Sequence, residues 1–270
     1  MKHHALKYGC QTFTWEMLGS GWTGTADDLV HAISNAGYQG IEITDTMIGD
    51  YANRPRDFVS TLGNAGLELV SFAYGSDSGF TEAASVSNDL DTCRRWVDFA
   101  AHFPGAMVSL GSATIMSEGL RADKFNTAAE IYNKSAEIGM AAGVKVGLHP
   151  SSHSNTLLYS RDDYDEMFAR LDAPVLWVPD TGHILRANQE IIDVMETYID
   201  RICYVHLKDV DRQGDWAMLG RGVCDSASVV ALVRRAPHFN GWIVVEEEST
   251  TAGSNPADAV KENYATLMAM

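Results

Sequence analysis

The sequence predicts one closed (β/α)₈ barrel, and three observations carry that prediction. Eight short apolar runs recur about 30 to 40 residues apart, the length of one strand–helix unit. Several of them are continuously apolar rather than alternating, as expected of parallel strands covered on both faces. The same punctuation, Ala-Gly and then a strand, returns at Ala36-Gly37-Tyr38, Ala65-Gly66-Leu67 and Ala142-Gly143-Val144, so the chain carries an internal repeat.

The strands are expected near Tyr8–Phe13, Gly40–Ile43, Leu67–Phe72, Ala106–Leu110, Lys145–Leu148, Val175–Val178, Ile202–Leu207 and Trp242–Val245. Between the first two, Thr25 is placed to cap a helix. Asp27 and Asp28 occupy its first turn, and Gly37 ends it. Leu29, Ile33 and Ala36 then share its buried face. From Asp123 to Ala142, Phe125, Ala129, Tyr132 and Ala136 recur at helical spacing before Gly143. Ser160 can cap a helix over Asp162–Leu171, and later helices are expected at Glu190–Tyr198, Ser226–Arg235 and Pro256–Met268. No GxGxxG or GxxxxGK[ST] follows the first strand, which argues against a nucleotide-binding open sheet. No linker or low-complexity stretch interrupts residues 1–270, so a single domain is expected.

With 36 acidic against 20 basic residues, the net charge is −16. Such a surface repels nucleic acid and anionic membranes, so neither is expected as a partner. No apolar run is long enough to span a bilayer, and the first residues lack an apolar signal core, so a cytoplasmic location is expected. His3 and His4 are given no role. The four cysteines (Cys10, Cys93, Cys203, Cys224) contain no CxxC and are read as reduced structural thiols.

Four apolar runs end in a group able to bind a metal: His149, Asp180, His206 and Glu246. On neighbouring parallel strands these side chains emerge at one end of the sheet. Two imidazoles and two carboxylates converging there suit a divalent cation. Asp180 opens Asp180-Thr181-Gly182-His183, where it is read as a ligand against the simpler reading of a helix cap. His206 precedes Lys208 and Asp209, a polar group costly to bury without purpose. Glu246 is the first of three successive acids and the least solvated, with Glu248, on the same strand face, as the fallback. His149 is open as ligand, base or hydrogen-bond donor. Glu42 on the second strand faces the centre from the opposite wall. His153 in the loop after His149, Trp15 as a stacking platform, Lys208 and Arg212 complete the candidate substrate contacts.

Taken together, "VPDTGH" at 178–183, "VHLKDV" at 205–210 and "GWIVVEEE" at 241–248, supported by "GYQGIEI" at 37–43, resemble the xylose isomerase-like barrel superfamily over almost the whole chain. That superfamily includes sugar epimerases, hydroxypyruvate isomerase, inosose dehydratase and endonuclease IV. The resemblance implies one metal ligand from each of the last four strands, commonly Glu, Asp, His and Glu. Asp180, His206 and Glu246 match. His183 stands where epimerases hold a substrate-contacting histidine, and Arg212 stands near an arginine position. The fifth strand departs, with His149 where epimerases carry a glutamate that is both ligand and base. The inosose dehydratase branch and lyases of 3-keto sugars are more similar there, and "GWIVVE" followed by Asn255-Pro256 is similar to the dehydratase branch.

The expected activity is removal of a proton beside the carbonyl of a keto-sugar or cyclitol, with a divalent ion stabilising the enolate. Manganese suits the donor set best, with magnesium, cobalt or zinc as alternatives. His149, Glu246 and His183 are the expected catalytic groups. Elimination of a β-substituent is placed ahead of reprotonation to an isomer or epimer. A nuclease of the endonuclease IV kind and a non-catalytic subunit are the remoter readings. A homo-oligomer or a second subunit is allowed.

Overall fold

The computed structural model describes residues 5–153 and 155–270; His3 and His4 lie outside them. Its strands are β1 (Lys7–Gln11), β2 (Gly40–Thr44), β3 (Glu68–Tyr74), β4 (Met107–Leu110), β5 (Lys145–Leu148), β6 (Leu176–Trp177), β7 (Val205–Leu207), β8 (Asp209–Val210), β9 (Trp216–Ala217) and β10 (Trp242–Val245). Eight of these form one parallel sheet in the order β6-β5-β4-β3-β2-β1-β10-β7. Parallel bridges Trp177↔Ile202 and Asp180↔His206 join its two ends, so the sheet curls into the expected barrel. β8 and β9 form a small antiparallel hairpin beyond β7, additional to the eight expected strands.

The helices follow from local chemistry. Thr25 and Asp28 form a reciprocal capping box on Ala26–Ala36, and Gly37 closes that helix at φ 105°. Leu29, Ile33 and Ala36 are buried as their spacing predicts. Arg121–Ala142 ends at Gly143, with Phe125, Ala129, Tyr132 and Ala136 buried. Ser160 and Asp163 box the start of Arg161–Phe168, which begins one residue before and ends three residues before the expected span. Ile191–Thr197, Ser226–Val233 and Pro256–Ala269 lie where the sequence placed them. Helices Pro55–Ala65 and Val86–Ala100 complete the ring beside β3.

The strand ends carry the differences. The first strand stops at Gln11, and Phe13 opens a short helix, Phe13–Glu16. The sixth is regular only over Leu176–Trp177, because Pro179 has no N–H to continue the ladder. These irregular ends leave room for side chains to turn inward.

Two apolar layers hold the barrel. One lies between strands and helices and includes Leu29, Ile43, Phe72, Tyr132 and Trp177. The other plugs the barrel interior with Val70, Met107, Leu176, Val178, Cys203, Tyr204, Trp242 and Val244. Gly40 is the small partner in that plug: a Cβ there would sit 2.6 Å from both the Trp242 ring and Val70. Gly40→Ala should therefore overpack the interior and cost about 1–3 kcal/mol. Urea unfolding of the variant checks this, and an unchanged midpoint would refute the close packing described.

Candidate active site

The interior plug stops below the carboxyl ends of the strands, and above it the lining becomes polar. A cavity of about 350 Å³ opens there, bounded by Gln11, Glu42, Ser109, His149, His183, His206, Glu246 and Glu248 among others. Its floor is a charged cluster. One ligand-type atom from each of His149, Asp180, His206 and Glu246 falls within 4.8 Å of the others. His206 stands at the centre. Its Nδ1 is 2.9 Å from His149 Nε2, 2.9 Å from Glu246 Oε2 and 3.7 Å from Asp180 Oδ2.

The other ring nitrogen of His206 explains its orientation. Nε2 lies 3.1 Å from Glu42 Oε2, and Gln11 Nε2 donates to Glu42 Oε1 at 3.4 Å. Register pairs Gln11 directly with Glu42 across β1 and β2. A proton on Nε2, given to Glu42, leaves the Nδ1 lone pair aimed at the cluster. Glu42, expected as a substrate contact, thus holds a histidine as well as lining the cavity.

Asp180 serves two purposes with its two oxygens. Oδ1 accepts the His183 N–H at 2.8 Å and caps the helix Thr181–Arg186. Oδ2 is buried with no hydrogen-bond partner among the described residues, and His149 Nε2 is 3.5 Å away. The cap and ligand readings of this residue are therefore compatible. A buried carboxylate oxygen left in this state is poised for a cation. The donor set, two imidazole nitrogens and two carboxylate oxygens, fits a first-row divalent ion.

Lys208 corrects an expectation. It does not line the cavity. It is buried behind the wall, donates to Glu246 Oε1 at 2.7 Å and contacts Glu248 Oε1. Its ammonium also lies 4.0 Å from the centroid of Trp216. The three acids of 246–248 divide by strand period: Glu246 and Glu248 face the cavity, whereas Glu247 accepts from Asn263 Nδ2 at 2.6 Å and ties the barrel to its last helix. Gly182 lets this corner close, because a Cβ there would meet Trp216 at 2.8 Å and Lys208 Cγ at 2.9 Å.

These contacts set the protonation states. Burial pushes the Glu246 carboxyl up, but Lys208 and His206 outweigh it and hold it well below its ordinary value. Burial and the charge of Glu246 push Glu248 up to about 7, although Lys208 pulls the other way. Burial likewise opposes ionisation of Asp180, yet His183, Lys208 and the neighbouring imidazoles keep it well below the usual range. His206 is held well above its usual value because Glu42, Asp180 and Glu246 overcome its burial. Burial drives His183 down to about 3 despite Asp180. The Ser152 N–H donates to His183 Nδ1 at 3.1 Å, so the neutral ring carries its proton on Nε2. That tautomer presents an N–H donor at Nε2, the Nδ1 lone pair being taken up by Ser152.

Besides Lys208, two more expected contacts are not at the cavity. Trp15 is buried against Trp22, their rings 6.4 Å apart, because the short helix after β1 turns it away from the barrel axis. Arg212 is exposed in the turn of the β8–β9 hairpin. Trp216 and Arg186 line the cavity instead, with the Arg186 guanidinium 4.3 Å from the Trp216 centroid. His153 lies at the rim. Sequence reasoning also passed over Gln11, Glu16, Asp45 and Ser109. Gln11 ends β1 and Asp45 follows β2, the signal that found the other four, whereas Ser109 lies one residue inside the end of β4. Trp216 gave none, because an unexpected hairpin carries it. Asp209 fixes that hairpin by accepting backbone N–H groups of Val210, Gly220, Gly222 and Cys224 at 2.9–3.0 Å.

Comparison with known proteins agrees with this architecture. The family model described as xylose isomerase-like TIM barrel matches residues 30–270. The chain belongs to that family. An inosose dehydratase of Geobacillus kaustophilus is 24% identical over 287 residues, covering 93% of this chain and 90% of the relative. A 3-keto-D-glucoside 4-epimerase from E. coli superposes with a TM-score of 0.77 at 16% identity, over 98% of this chain and 100% of the other. An IOLI protein with a bound zinc atom superposes with a TM-score of 0.78 at 13% identity, over 97% and 96%. The structural likenesses establish the shared barrel. No helix among the described residues is long and apolar enough to cross a membrane.

Asp180→Asn separates the two tasks of that residue. Asparagine keeps the cap but loses the charge, so the fold should survive while affinity for a divalent ion falls at least about tenfold. Metal analysis after equilibrium dialysis, beside a circular-dichroism spectrum, tests this; full retention of metal would remove Asp180 from the ligand set.

Proposed function

We propose that this protein is a divalent-metal-dependent enzyme that removes a proton beside the carbonyl of a keto-sugar or cyclitol and then eliminates a β-substituent, as a dehydratase or related lyase. The observation that carries this is the buried His149–Asp180–His206–Glu246 cluster on the floor of a cavity sized for one polyhydroxylated ring. The full-length similarity to a protein named inosose dehydratase supports the substrate class. Those four residues would hold the ion, manganese by donor chemistry or else magnesium, cobalt or zinc, and the zinc atom bound by the IOLI protein, which shares the barrel, supports a metal-binding reading. When bound, a cation supplies Lewis-acid polarisation of the substrate carbonyl.

The chain's own groups supply the rest. Glu248 lines the cavity, lies outside the four-residue cluster and is poised near neutrality, which suits a general base for the α-proton. Lys208 holds that carboxylate and Glu246 in place from behind. His149 is turned into the cluster by its Nε2 contacts, which favours the ligand role over the base role. His183 donates from Nε2 to a substrate oxygen, and Trp216 covers an apolar ring face.

Asp45 fits the acid that protonates the departing oxygen. Burial and the adjacent Glu16 raise its carboxyl to about 6, and both residues line the cavity away from the cluster. Reprotonation of the same intermediate, giving an isomer or epimer, is the second reading, favoured by the likeness to the 3-keto-glucoside epimerase.

Glu248→Gln should lower kcat by about 10²–10⁴ while metal content stays near that of the unaltered protein. Wash-out of a substrate proton into D₂O, followed by NMR on keto-sugars and inososes, reads the step directly. Retained exchange in Glu248→Gln would dismiss Glu248 as base. An unsaturated product distinguishes elimination from isomerisation. Asp45 must be protonated, a state it loses above about pH 6, and Glu248 must be ionised, a state it gains through about pH 7, so turnover should follow a bell that peaks between those values and declines on its alkaline side as Asp45 ionises. Asp45→Asn should be slower and lose that alkaline decline; an unaltered pH profile would exclude the role.

A further inference from the structure

A second cavity, of about 670 Å³, adjoins the first, and Glu16 lines both. It lies between the segment after β1 and the segment after β2, outside the charged cluster. Its walls carry Trp22, Tyr51, Asp27, Asp50 and Arg54. We infer that this cavity binds a second, uncharged polyhydroxylated ring, so that the substrate is a two-ring glycoside rather than a free monocycle. The inference rests on reading the first cavity as the keto-sugar site.

The wall is built rather than incidental. The Trp22 indole lies over Gly24 so closely that a Cβ there would come within 2.2 Å of its ring, and Trp15 backs it from the core. The Tyr51 hydroxyl donates to Asp27 Oδ1 at 2.8 Å and lies 2.9 Å from Thr61 Oγ1, while Arg54 sits 5.5 Å from the Tyr51 centroid. The Trp22 indole, fixed beside carboxylates, a phenol hydroxyl and a guanidinium, matches the C–H face and hydroxyls of a sugar ring. Charge selects among ligands: Glu16, Asp27 and Asp50 outnumber Arg54, so a phosphate or carboxylate would be repelled. The first cavity alone accommodates one ring. The added space is larger than the site it serves, and the two meet at Glu16, next to Asp45, where a bond between two rings would cross.

Calorimetric titration of the full chain with glucose and with cellobiose tests this, with saturation-transfer NMR to show which rings touch protein. The unaltered protein should bind cellobiose about tenfold more tightly than glucose, with saturation on both rings. Trp22→Ala should bring that ratio towards one. Asp50→Trp, an exposed substitution that fills the cavity, should do the same and decides the matter if Trp22→Ala does not fold. A ratio near one in the unaltered protein, or a ratio preserved in folded Asp50→Trp, overturns the inference. Failure of the keto-sugar reading would instead appear as absent proton exchange from every keto-sugar, a separate measurement.

Discussion

Four ionisable side chains forced together in a buried place are the constraint on which the site depends. His206 Nδ1 lies within hydrogen-bonding distance of His149 Nε2 and Glu246 Oε2, with Asp180 Oδ2 close behind. Carboxylates removed from water at this density demand positive charge, from a proton on His206 or from a cation. Everything around the cluster serves to hold it against that cost. Glu42 fixes the far side of His206, Gln11 fixes Glu42, and the apolar plug beneath denies the group any route to solvent from below.

Lys208 distributes charge between the two acids on its side. One ammonium cannot satisfy both fully. Glu246 keeps the ionised state beside His206, and Glu248 is left poised near neutrality. Environment thus leaves two chemically identical side chains, two residues apart on one strand end, in separate protonation states, the separation on which the proposed ligand and base roles rest. The small Gly182 is what allows Lys208 and Trp216 to approach this corner together.

The loops decide what the barrel rim presents. Asp209 gathers four backbone N–H groups and so pins the hairpin that delivers Trp216 to the cavity. The segment after β1 turns Trp15 into the core and sets Trp22 on its outer side. Aromatic surface is therefore supplied at the rim by a loop residue, Trp22, and by Trp216 of a hairpin outside the barrel sheet, while the charged cluster comes from the strand ends.

Strand and helix chemistry was legible in the sequence because it is local. Apolar runs, the Thr25 and Ser160 capping boxes and the glycines at 37 and 143 act within a few residues, and the structure follows them closely. The rule that function gathers at the carboxyl ends of barrel strands also singled out His149, Asp180, His206 and Glu246, which the fold brings together. Which way each group points was settled only in three dimensions. The sequence could not say that Glu42 would face His206, that Lys208 would turn behind the wall, or that Trp216 rather than Trp15 would reach the cavity. Those outcomes depend on barrel closure between β6 and β7 and on an inserted hairpin, contacts between residues far apart in the chain that no local pattern encodes.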